Sequence, residues 1–192
     1  MPPDKSALRA QARATRRSLP PSLRKQAARK LVRQFARYAL LRQARHVALY
    51  LALGSELDTG PLIAALRARG VAVYAPRIAR ARALRFLRLG SRCMGPAHAK
   101  GMAQPVGSRT RPLARMDVVL LPLLAYDAQG HRLGQGGGYY DRALARIGRH
   151  RPLRIGLAFA SQAVAKVPVE PLDQSIHAVL TEQGLQWLAR SR

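Results

Sequence analysis

A chain of 192 residues is long enough for one domain of ordinary size and too short for two that each bury a good core. With 48% hydrophobic and 22% charged residues it falls among folded globular proteins and not among disordered ones. Thirty-four Lys and Arg against nine Asp and Glu leave a net charge of +25, so nucleic acid is the first partner class to weigh.

Only five of the 34 basic residues are lysines, a bias toward arginine for which codon supply accounts in part. No apolar run approaches the roughly 18 to 20 residues of a membrane span. The longest, around 47–53 and 118–125, read as buried strands. Cys93 is the only cysteine, which excludes an intrachain disulfide and a cysteine zinc cluster and fits a reducing, cytoplasmic setting. Residues 1–18 share the Arg- and Ala-rich, acid-poor composition of an organelle transit peptide, although an ordinary surface helix explains them more simply.

In chain order, Asp4 is placed to cap a helix over 5–18, which the Leu19-Pro20-Pro21-Ser22 break ends. Leu23, Ala27, Leu31, Phe35 and Tyr38 recur at helical spacing and predict a second helix, so a helical pair fills about 5–42. An α/β core is predicted over about 46–185. Residues 47–53 read as a strand and 62–69 as a helix, with Thr59 as its cap, Pro61 in its first turn and Gly70 as its stop. Residues 71–75 read as the next strand, and this alternation predicts a βαβ unit in a largely parallel sheet covered by helices. Residues 83–89 add a strand, 90–115 read as a long loop, and 116–124 as a central strand. A turn through Gly130 leads into a glycine run, a helix over 139–147, a strand over 153–159 and a short last strand over 178–180.

The glycine run carries the chemistry. Gly134, Gly136, Gly137 and Gly138, lying between a strand and a helix N-terminus, let backbone N–H groups approach an anion closely, and Arg132 adds a charged fork. A mobile glycine turn is the alternative. The run is neither a Walker A loop, which needs Lys-Ser or Lys-Thr after the glycines, nor a dinucleotide fingerprint. Asp141 falls in the first turn of the following helix, where the dipole favours a carboxylate with or without a ligand, and is equally placed to hold Mg²⁺ against bound phosphates. Glu56, Asp58 and Asp127 flank other strand-end loops, and Glu56 follows the first strand, where open α/β sheets bind ligands.

The string Arg132-Leu133-Gly134-Gln135-Gly136-Gly137-Gly138-Tyr139-Tyr140-Asp141 closely resembles the signature of the 5-formyltetrahydrofolate cyclo-ligase family. Lys5-Ser6-Ala7-Leu8-Arg9 is similar to that family's N-terminal nucleotide-binding stretch, and the segment from Tyr50 to Thr59 to its folate-binding stretch. Pro122 to Asp127, Gly156 to Phe159 and Val179 to Glu182 match in the same order, so the resemblance covers nearly the whole chain.

The resemblance implies a single-domain, three-layer α/β/α fold with an open, mostly parallel sheet and helices on both faces. It implies an ATP- and Mg²⁺-dependent ligase that converts 5-formyltetrahydrofolate to 5,10-methenyltetrahydrofolate, releasing ADP and phosphate through a phosphorylated formyl intermediate. Residue by residue, Lys5 and Arg9 would meet ATP phosphates, and Arg132, Leu133, Gly134, Gln135, Gly136, Gly137, Gly138, Tyr139 and Tyr140 would hold ATP. Gln135 to Tyr139 would also touch the folate, with Leu51 and with Glu56 accepting hydrogen bonds from the pterin. Asp141 would bind Mg²⁺. Small molecules are then the partners, with no membrane, nucleic acid at most non-specific, and a monomer as the working expectation.

The chain departs from the family pattern in three respects. A second metal-associated Asp, common shortly before the last strand, aligns with His177, a poor ligand for a hard cation; His177 or Asp173 is the candidate second metal position, and the alternatives are that Asp173 substitutes, that water fills the position, or that metal use is altered. Tyr126 stands where Phe is usual. The charge of +25 is not a family trait.

Overall fold

The computed structural model describes residues 4–80, 83–90, 94–97, 103–148 and 151–189. Three helices lead the chain: α1 (Lys5–Ser18), α2 (Pro21–Arg37) and the single turn α3 (Ala39–Arg42). Strand β1 (His46–Leu49) joins β2 (Ala72–Ile78) through α4 (Gly60–Ala68), and β3 (Leu84–Arg88) doubles back beside β2. β4 (Met94–Ala97) and β5 (Ala103–Pro105) pair with each other. β6 (Val118–Pro122) is followed by the small hairpin β7 (Ala125–Tyr126) and β8 (Arg132–Leu133), then α5 (Tyr139–Ala145). β9 (Leu153–Leu157), β10 (Ala178–Leu180) and β11 (Leu185–Trp187) close the chain.

Seven strands form one sheet in the order β11-β10-β9-β6-β1-β2-β3. The middle five are parallel, with Val47 opposite both Val73 and Val118 and Leu120 opposite Ile155, while β3 and β11 are antiparallel edges. Apolar runs such as Val118 to Leu121 are buried on both faces, as parallel strands under helices require. On one face Leu31 and Phe35 of α2 and Leu62 and Leu66 of α4 pack against Val47, Leu49, Val73 and Leu120. On the other, Leu144 of α5 packs with Val119, Leu121, Phe86 and Val179. Each such side chain contributes roughly 1.5–3 kcal/mol on burial. This is the open α/β arrangement with helices on both faces that the sequence predicts.

α1 belongs to neither layer. Leu8 and Ala12 pack on Leu124, Ala125, Leu133 and Val167, which lays the helix across the C-terminal ends of the central strands.

Several local expectations change. Asp4 and Thr59 stand at helix starts, but neither side chain makes a capping bond; the Thr59 hydroxyl donates instead to the Tyr50 carbonyl at 2.9 Å. That bond, with Tyr50 Oη donating to the Leu57 carbonyl at 2.9 Å, bends the chain and ends β1 at Leu49, short of the predicted 53. Leu23, expected in the α2 stripe, is half exposed. Part of the predicted 90–115 loop is the β4–β5 pair, while 91–93 and 98–102, Cys93 included, lie outside the described residues. β11 was not foreseen, because it is a three-residue exposed edge with no apolar run to announce it.

Candidate active site

β1 leads to β2 on one side of itself and is flanked by β6 on the other, so the sheet reverses its winding between β1 and β6. A crevice forms at such a switch point because the two connections leave in opposite directions. Here it is a cavity of about 730 Å³, bounded by the segment after β1, the glycine loop before α5, the β2–β3 hairpin and α1.

α1 supplies a ladder of cations, since residues four apart share a helix face. Lys5 Nζ contacts Asp173 at 2.6 Å and Glu170 at 3.1 Å. Arg9 Nε donates to the Gly134 carbonyl at 3.1 Å. Arg13 donates to both the side-chain and backbone oxygens of Gln135. Arg16, 6% exposed, donates to Ser55 Oγ at 3.1 Å and lies 3.9 Å from Glu56. Burial lowers the Arg16 pKa, and Glu56 partly restores it.

Glu56 is held from several sides. Its Oε2 accepts the Leu53 amide at 3.0 Å, and Gln135 Nε2 reaches Oε1 at 3.4 Å. Leu51 and Leu53, with Pro76, Ile78, Leu84 and Pro122, give the cavity an apolar wall.

Gly136 and Gly138 have φ of 99° and 61°, a region that glycine enters without a Cβ clash, so the loop shape depends on them. Gly134 has no such backbone demand, and a Cβ built on it would meet nothing within 4 Å. α5 is only seven residues, shorter than the predicted 139–147, so cationic side chains and loop amides carry more of the anion-binding potential than its dipole does.

Arg132 is nearly buried. Its Nη2 meets Asp141 Oδ1 at 2.9 Å and its Nη1 donates to the Gln174 carbonyl. Gln174 N also donates to Asp141 Oδ1, at 3.1 Å. Both contacts fall on Oδ1, and among the described residues nothing bonds Oδ2. The Tyr140 hydroxyl is buried with no partner among the described residues, and burial first, then Glu56, pushes its pKa well up.

The cavity thus gathers Lys5, Arg9, Leu51, Glu56, Arg132, Leu133, Gly134, Gln135, Gly136, Gly137, Gly138, Tyr139, Tyr140, Asp141 and Asp173. His177 is not among them: it precedes β10, and its Nδ1 accepts the Arg154 amide at 3.1 Å, which turns the ring toward β9 and away from the cavity. Asp127 and Asp58 are also structural. Asp127 accepts the amides of Gln129, His131 and Val167 within the β7–β8 turn and beside it, and Asp58 accepts the Gly60 amide where α4 begins. Among the described residues, no three His, Cys, Asp or Glu side chains gather as a metal site. None of their helices is long and apolar enough to cross a membrane.

Arg13, Arg16, Glu170 and the β2–β3 wall are additions that sequence reading missed. The spacing of Lys5, Arg9 and Arg13 was a usable signal. A buried Arg16 and a wall donated by a distant hairpin show only once the chain is folded.

An open α/β sheet with an arginine-lined crevice beside an apolar wall at its switch point places the chain in the α/β class, with a site whose lining suits an anionic group next to an apolar one. Residues 2–182 match the 5-formyltetrahydrofolate cyclo-ligase family, and the chain belongs to it and is a ligase. It is 35% identical over 173 residues to the 5-formyltetrahydrofolate cyclo-ligase of Escherichia coli K12, covering 88% of this chain and 95% of that one. The mouse 5-formyltetrahydrofolate cyclo-ligase is 27% identical over 191 residues, 94% of each chain. The NMR structure of Aquifex aeolicus 5,10-methenyltetrahydrofolate synthetase superposes with a TM-score of 0.85 at 26% identity, covering 98% of this chain and 94% of that one.

Proposed function

We propose that the protein uses ATP to close 5-formyltetrahydrofolate into 5,10-methenyltetrahydrofolate. The observation that carries this reading is the juxtaposition, in one cavity, of the α1 cation ladder and glycine loop with the apolar wall beside Glu56. The first pair suits a triphosphate and the second a flat heteroaromatic ring carrying N–H donors.

The γ-phosphoryl group passes to the formyl oxygen and ADP departs. Nitrogen 10 then attacks the activated formyl carbon and loses its proton, and the C–O bond to phosphate breaks as the methenyl bridge forms. Phosphoryl transfer asks for positioning and charge neutralisation more than covalent help. Arg9, Arg13 and Arg132 supply fixed donors, and Lys5 exchanges its carboxylate partners for a phosphate. Glu56 orients the ring by accepting its N–H groups, with Arg16 3.9 Å from its carboxylate as a counter-charge.

Mg²⁺ fits this donor set, because among the described residues nothing bonds Asp141 Oδ2 and a hard cation is commonly held by one or two carboxylates plus phosphate oxygens. Asp141 would hold it, and the bound ion would neutralise charge on the transferring phosphoryl group. Asp141→Asn is expected to raise the Mg²⁺ needed for half-maximal rate several-fold. It also leaves buried Arg132 without its counter-charge, so a loss of about 1–3 kcal/mol in thermal unfolding should accompany it. Normal Mg²⁺ dependence in that variant would mean Asp141 serves Arg132 alone.

The function itself is read by the methenyl chromophore. It should form from 5-formyltetrahydrofolate only when ATP and Mg²⁺ are both present. No product from folded protein under those conditions overturns the proposal.

A further inference from the structure

We infer that the outer face of α2, α3 and α4 docks the phosphate backbone of duplex nucleic acid without regard to sequence. Lys25, Arg29, Arg33 and Arg37 follow one another at four-residue intervals along α2, and all four are exposed. At 100° per residue this row falls opposite the buried stripe of Ala27, Ala28, Leu31 and Phe35. It spans about 18 Å of helix at 1.5 Å per residue. Arg42 and Arg69 extend it onto α3 and the end of α4, where Arg69 Nη2 bonds the Arg42 carbonyl at 2.8 Å.

No acid within α2, α3 or α4 offsets this charge. No Asp or Glu occurs between Asp4 and Glu56, and none occurs within α4. Like charges four apart on a helix repel, so the row is the reverse of the Glu–Lys pairing that stabilises a solvated helix. A polyanion laid along it converts that repulsion into attraction and releases counterions. The face is separate from the active-site cavity, whose cations come from α1 and Arg132.

The same residues favour a duplex over a single strand. Single-strand binders stack bases on exposed aromatic rings. Here Phe35 is buried, and Tyr38 is half-buried with its hydroxyl accepting the Leu185 amide.

The test is fluorescence anisotropy of a labelled duplex of about 20 base pairs with the full chain, between about 50 and 200 mM salt. Four neutralised phosphates give a log–log salt slope near −3.6, an affinity loss of about 150-fold over that range. Lys25, Arg29, Arg33 and Arg37 all changed to Gln should abolish most of the binding and flatten the slope, leaving kcat/KM for the ligase reaction unchanged. A control with Arg85, Arg88, Arg109 and Arg115 changed to Gln removes the same charge from the β3 edge and the segment beyond it, and should bind like the parent. Equal losses in the two variants would reduce the effect to net charge and overturn the inference. So would tighter binding to a single strand, or displacement by polyglutamate at lower charge concentration than by unlabelled duplex, which would point to an acidic protein instead.

Discussion

Gly134 has room for a side chain and no positive φ, so nothing in the folded chain requires glycine there. The remaining reason for glycine is the close approach of a ligand to the loop. Gly134→Ala is therefore expected to unfold at the parental Tm or slightly above, and to bind ATP at least tenfold more weakly. Parental ATP affinity would show that the cavity does not bring a phosphate to this position. Tyr140 offers a test in pH. Its phenol is held protonated by burial and by Glu56, so its folded pKa lies above the ordinary value of 10.0. An acid whose folded pKa is raised leaves stability intact below the unfolded value and loses it as pH climbs past it, because the unfolded chain releases a proton that the folded one keeps. Tyr140→Phe should lessen the fall in Tm between about pH 9 and 11, and should raise Tm at neutral pH by removing a buried hydroxyl with no partner among the described residues. An unchanged alkaline fall would assign that loss to other groups, Tyr50 among them, whose hydroxyl burial also pushes up.

At the scale of elements, α1 decides whether the site exists. Its apolar contact with the sheet ends rests on Leu8 and Ala12, while its cations close the cavity. Leu8→Ala should lower stability by about 2–4 kcal/mol and raise KM for both substrates more than it lowers kcat, since the ladder would be held less firmly. A KM change confined to one substrate would separate α1 from the other half of the site. The Leu19-Pro20-Pro21-Ser22 break made α1 legible by its end, and apolar periodicity made α2 legible, as apolar runs made the βαβ unit and the central strand, because each of these last three buries an apolar pattern against a neighbour. The ends of β1 and the existence of β11 were not, because Tyr50, Thr59 and the Thr181–Gly184 turn act through bonds between residues several positions apart. The site divides in the same way. The glycine loop and Asp141 are contiguous and readable in the sequence, whereas the Arg16–Glu56 pair and the exclusion of His177 depend on how distant segments meet.

At the scale of the whole molecule, two groups of cations within the charge of +25 have different surroundings. Inside the cavity, cations face carboxylates that a phosphate-bearing ligand would replace or join, as at Lys5 with Asp173 and Glu170. Outside, the α2 row faces solvent with no acid near it in sequence. Composition alone cannot distinguish these, since both are arginine-rich helices. On the proposed function, the first group helps bring the terminal phosphoryl group of ATP onto the formyl oxygen. That transfer is tested most directly by placing a heavy-oxygen label in the formyl group of 5-formyltetrahydrofolate and analysing the phosphate released during turnover by mass spectrometry. Label recovered in inorganic phosphate, one atom per methenyl product, is the expected result; label recovered in water with unlabelled phosphate would contradict it.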